Sequence, residues 1–79
     1  MEVTVLFFAS LREAVNARQL NLTLDAPTTL RQLAEKLESS YSGLSLSGTL
    51  CAINEHYVDP ETKVSAGDTV AFFPPVSGG

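Results

Sequence analysis

The chain has 79 residues, 44% of them hydrophobic and 18% charged, with a formal net charge of −4. A chain of this size makes one globular domain that buries roughly 60% of its unfolded surface, which allows a single modest core and no deep internal active-site cavity. Its five Lys and Arg residues are spread along the chain, which argues against nucleic acid and against an anionic membrane as partners and leaves a protein with a basic surface as the better match.

Residues 2–8, EVTVLFF, read as a strand with two apolar faces: Val3, Val5 and Phe7 on one, Thr4, Leu6 and Phe8 on the other. Such a strand belongs at the centre of a sheet, or carries a face that something else covers. Ser10 and Glu13 have the spacing of a capping box, which predicts a short helix with Leu11, Ala14 and Val15 along its buried edge. QLNLTL then alternates, with Leu20, Leu22 and Leu24 inward, as a half-buried strand does. Asp25-Ala26-Pro27 ends it. A second capping box, Thr29 with Gln32, opens the main helix over about residues 29–40, with Leu30, Leu33, Ala34 and Leu37 in one stripe. The Ser- and Gly-rich stretch 39–48 reads as a loop that pins Leu44 and Leu46 to the core. TLCAIN is a short buried strand, Tyr57-Val58 a very short one between two turns, SAGD a turn, and TVAFF the last strand.

One amphipathic helix across one small mixed sheet accounts for every apolar stripe, so the fold class is α+β in two layers. The β-grasp arrangement satisfies the order of elements and sets the first and last strands side by side. With Val3, Val5, Phe7, Val70 and Phe72 under the helix, Leu6, Phe8, Ala71 and Phe73 face the other way. No remaining element is there to cover them, which marks a protein-binding surface. The competing reading tucks some of these side chains under the 39–48 loop.

The single cysteine, Cys51, excludes an internal disulfide, and its apolar setting reads as core. With one Cys and one His, no side-chain set for a zinc site assembles in a single chain, and no metal is expected. Glu55 and His56 fall in a turn and read as solvated, and Asp59, Glu61 and Asp68 as turn formers. Neither a signal-peptide pattern nor an apolar run near the ~18 residues of a membrane span is visible, so a cytoplasmic address is expected.

The remaining signal is PPVSGG. The chain divides into a domain over residues 1–73 and an extended tail over 74–79. Pro74 and Pro75 stiffen its root, Val76 and Ser77 offer side chains to grip, and Gly78 and Gly79 bring no Cβ, so they pass through a channel too narrow for other residues. The six residues reach roughly 20 Å when extended. The tip presents an α-carboxyl that is ionised at neutral pH, with a reference pKa of ~3.5. A carboxylate is a poor electrophile, and reaction requires activation, for instance as a mixed anhydride with AMP. The activated acyl group then takes sulfur, becoming a thiocarboxylate, or passes to an amine.

VTVLFFASLREAVN at one end and AINEHYVDPETKVSAGDTVAFFPPVSGG at the other closely resemble the small, sulfur-carrying subunits of molybdopterin synthase, with GDTVAFFPPVSGG the most specific stretch. The resemblance implies a ubiquitin-like β-grasp fold. It implies that Gly79 is adenylated by an E1-like activating enzyme using ATP and converted to a thiocarboxylate, with no cofactor held by this chain. It further implies that the tail enters the synthase large subunit, where sulfur passes twice to cyclic pyranopterin monophosphate to build the dithiolene of molybdopterin. The implied assembly is a heterotetramer, with Phe8 and Phe73 matching its apolar contact positions and Gly78 preceding the carrier residue. The alternatives are a β-grasp sulfur carrier for thiamine biosynthesis or tRNA thiolation, and a non-catalytic interaction module.

Overall fold

The computed structural model describes residues 1–46 and 48–74. In chain order the elements are β1 (Glu2–Phe7), α1 (Ser10–Val15), β2 (Gln19–Thr23), β3 (Thr28–Thr29), α2 (Leu30–Ser40), β4 (Leu50–Ile53), β5 (His56–Tyr57), β6 (Lys63–Val64) and β7 (Thr69–Phe73). A five-stranded sheet runs β2-β1-β7-β4-β5, and β3 pairs with β6 in a separate two-stranded ladder. β1 and β7 lie parallel, with Leu6 opposite Ala71 and Phe7 opposite Phe72. The other pairs of the large sheet are antiparallel. This is the expected mixed-sheet α+β architecture, with the first and last strands as neighbours.

Period-2 alternation in the central strands and the 3.6-residue stripe of α2 meet in one core. Val5, Val70 and Leu33 are fully buried, and Val3, Phe7, Leu30, Leu37 and Phe72 nearly so. Thr29 caps α2 as its spacing predicts: its hydroxyl accepts from the Gln32 N–H at 3.2 Å, and the Gln32 side chain accepts from the Thr29 N–H at 3.0 Å. Leu44 and Leu46 join the core cluster. The Glu38 carboxylate holds the loop there by accepting from the Leu46 N–H at 2.6 Å.

Two local expectations are corrected, and one pairing is added. Ser10 does not cap α1. Ala9 occupies the N-cap position with φ 52 and ψ −130, and no side chain bonds the helix start. The turn closes through the backbone instead, with Leu11 N–H donating to the Phe8 carbonyl and Arg12 N–H to the Ala9 carbonyl, each at 3.1 Å. Ser10 thereby becomes the first helical residue. The β3–β6 pair, joining Thr28 to Val64 and Thr29 to Lys63, was not expected, because two-residue strands have no periodicity. The short fifth strand lies at His56–Tyr57, one residue earlier than expected, because Asn54 and Glu55 turn the hairpin with φ values of 50 and 72.

Candidate functional site: the open face of the sheet

The helix-free face is built by the alternate residues of β1, β7, β4 and β5. Registers place Leu6 beside Ala71, Ala71 beside Ala52, Phe73 beside Leu50, and Ala52 beside Tyr57. Towards β2 this face becomes polar. Thr4 donates to the Asn21 side-chain carbonyl, which also accepts from Gln19, each at 3.4 Å. The apolar part therefore lies at the end of the sheet where β7 runs out into Pro74.

Its centre is a pair of rings. Phe8 and Phe73 stack with centroids 4.5 Å apart and planes 16° from parallel. Tyr57 leans on Phe73 at 5.9 Å and 55°. The guanidinium of Arg12 lies 5.7 Å from the centroid of the Phe8 ring, within the range of a cation–π contact. Leu6, Phe8, Phe73 and Pro74 are half-buried, whereas Leu50 is 45% and Tyr57 71% exposed. Ala71, expected on the exposed surface, is buried, since it is small and flanked in register by Leu6 and Ala52. Among the described residues of the 39–48 stretch, Leu44 and Leu46 turn into the core rather than over this face, and Leu46 lines a groove on the opposite, α2 side of the sheet, together with Leu30, Ala34, Cys51 and Phe72.

Leu6, Phe8 and Phe73 thus gather at one end of one face, and the half-buried Pro74 follows β7 directly. Pro75, Val76, Ser77, Gly78 and Gly79 lie outside the described residues. Sequence reasoning missed Tyr57, Leu50 and Arg12. The cue for Leu50 and Tyr57 is strand register, which is not local in sequence; Arg12 is only four residues from Phe8, but its approach depends on the turn at Ala9 folding α1 back on the end of β1.

Other candidates separate from this site. Cys51 is buried; desolvation, with the Asp59 charge second, pushes its thiol above the ordinary value, the opposite of what a nucleophile requires. Among the described residues no three His, Cys, Asp or Glu side chains converge as a metal site, and no helix is long and apolar enough to cross a membrane. Asp68 works structurally, accepting from the Ser65 N–H at 2.7 Å and from the Asn54 amide at 3.0 Å.

Residues 5–79 match the family model described as "ThiS family". The "Molybdopterin synthase sulfur carrier subunit" of Escherichia coli (strain K12) is 39% identical over 80 residues, an alignment spanning 98% of this chain and 99% of that one. Among solved structures, the "Protein-protein complex of subunit 1 and 2 of Molybdopterin-converting factor from Helicobacter pylori 26695" aligns with a TM-score of 0.71 at 27% identity, covering both chains fully. SAMP1 from Haloferax volcanii aligns over 100% of both chains with a TM-score of 0.80 at 24% identity, a likeness of fold.

Proposed function

The chain belongs to the ThiS family, and from that premise we propose that it is the sulfur-carrier small subunit of a molybdopterin synthase, working as a deliverer of sulfur with the chemistry housed in its partners. The observation that carries this is the full-length similarity to a sulfur carrier subunit, joined to a chain whose aromatic face sits at the root of its Gly-Gly tail.

In this reading the Gly79 carboxylate attacks the α-phosphorus of ATP in an E1-like adenylyltransferase, releasing pyrophosphate. A sulfur nucleophile at the hydrosulfide level displaces AMP and leaves a thiocarboxylate. Phe8, Leu6, Phe73 and Pro74 dock on the synthase large subunit, a subunit pairing that the similar two-subunit Helicobacter complex supports. Pro75, Val76, Ser77 and Gly78 lead Gly79 to the acceptor, cyclic pyranopterin monophosphate. There the thiocarboxylate sulfur bonds to an acceptor carbon as an oxygen substituent leaves that carbon, and water cleaves the sulfur's link to the Gly79 acyl carbon, regenerating the carboxylate. Two such deliveries complete the dithiolene. We place the assembly in the cytoplasm, as a heterotetramer with two small subunits on a large-subunit dimer.

Intact-mass spectrometry tests the reading. Coexpression with a competent activating enzyme and a sulfur source adds the mass difference between sulfur and oxygen, located at Gly79. Deleting Gly79, or adding one residue after it, abolishes both the shift and sulfur transfer while the melting temperature stays put. Transfer that survives either change sinks the proposal. Thiolated protein that fails to convert cyclic pyranopterin monophosphate with the large subunit redirects it to a carrier for another acceptor.

A further inference from the structure

Arg12 is an exposed residue of a six-residue helix, with no carboxylate ion pair among the described residues. It nevertheless makes two specific contacts. Its Nε–H donates to the carbonyl of Phe7, the last residue of β1, at 3.1 Å, and the same guanidinium lies over the Phe8 ring. Leu11 and Val15, both buried, fix the helix that carries it to the core. The contacts therefore continue from α1 through Arg12 and Phe8 to Phe73 on β7 and Tyr57 on β5.

Phe8 needs such support. It lies one residue beyond β1, where the chain leaves the sheet and its carbonyl accepts the Leu11 N–H at 3.1 Å in the turn into α1. Ala9, immediately after it, has φ 52 and ψ −130, a conformation that glycine normally takes and that a Cβ makes strained. A half-exposed ring on a strained turn has other rotamers open to it. Each would leave Phe73 without its stacking partner and would have to be given up when a partner surface docks. We propose that Arg12 is a positioning residue of the docking surface: its bond to the Phe7 carbonyl holds the guanidinium over Phe8, which keeps Phe8 stacked on Phe73 before any partner arrives. A lysine cannot substitute, because an ammonium has neither the planar face nor the Nε–H set back along the side chain. The role in partner affinity rests on the open face being the large-subunit docking surface; the clamp itself belongs to the isolated chain.

The test uses the full chain, alone and with the large subunit. In the wild type, Phe8 and Phe73 ring protons show mutual NOEs and ring-current shifts. Arg12→Ala and Arg12→Lys each lose these signatures and bind the large subunit about tenfold more weakly, a factor worth about 1.4 kcal/mol, with melting temperatures near that of the wild type. Should Arg12→Ala fail to fold, Arg12→Lys carries the same comparison. In a Phe8→Ala background, Arg12→Ala has no further effect on affinity, because its action runs through the ring it holds. Ring signatures unchanged in the variants, an affinity unchanged despite altered rings, or an equal loss in the Phe8→Ala background overturns the proposal. Failure of the wild-type chain to bind the large subunit refutes the docking assignment instead, and the ring spectra of the isolated chain still decide whether the clamp exists.

Discussion

Two phenylalanine pairs, made from adjacent residues at the ends of the same two strands, have opposite fates. Phe7 and Phe72 face α2, are each 1% exposed, and sit with ring centroids 6.2 Å apart among leucines and valines. Phe8 and Phe73, one residue further on, stack more closely at 4.5 Å yet stay half-exposed. The sheet's alternation, not residue type, separates them: one parity is consumed in holding the fold, and the other is left partly open to solvent. The parallel register aligns the two diphenylalanine steps, so each face receives a matched pair.

The comparison breaks most sharply at Phe73. In Phe73→Asp, large-subunit affinity falls by about 3–5 kcal/mol, as for an aromatic anchor replaced by an unpaired buried charge, and the melting temperature changes little; titration calorimetry with the large subunit measures it, and unchanged affinity places the interface elsewhere. On the opposite face, Leu33→Ala removes a fully buried side chain and costs about 2–5 kcal/mol of stability, while the folded fraction still binds. A denaturant melt equal to wild type would mean that the α2 stripe does not carry the core. A smaller effect sharpens the same division: Thr29→Ala removes the hydroxyl that accepts from the Gln32 N–H, leaving only the backbone N–H bond to the Gln32 side chain, and costs about 1 kcal/mol, again with affinity unaltered. The smallest concerns Cys51. Burial raises its thiol pKa, so the folded state disfavours the thiolate. Its contribution to stability is whole below the ordinary thiol pKa and is lost as pH climbs from there through the folded value. Alkylation of the native chain is accordingly slower than that of the denatured chain at the same alkaline pH, and equal rates would contradict the burial.

What could be read in the residue string follows the physics that made it local. The α2 stripe and its Thr29 cap depend on spacings of three and four residues, and the inward sets of β1 and β7 on a spacing of two, so both were legible. Even the choice of Phe8 and Phe73 for the open face came from parity alone. Ser10 misled because a capping box competes with backbone turn bonds, and at Ala9 the turn prevailed. Tyr57 and Leu50 reach the open face through the pairings Ala52–Tyr57 and Leu50–Phe73, which no local pattern specifies. Arg12 reads as an ordinary exposed cation of a short helix until the end of β1 is seen beside it. The β3–β6 bridge joins segments that α2, β4 and β5 separate in the chain and carries no period at all.

The parallel alignment of β1 with β7 also governs how the molecule responds to force. Tension drawn between Glu2 and Pro74 acts along both strands in opposite senses, so the hydrogen bonds joining them are sheared together and must fail as a group rather than unzip one by one. A machine hauling on the segment after Phe73 therefore meets its stiffest resistance at the first strand it reaches, held on one flank by β1 and on the other by β4.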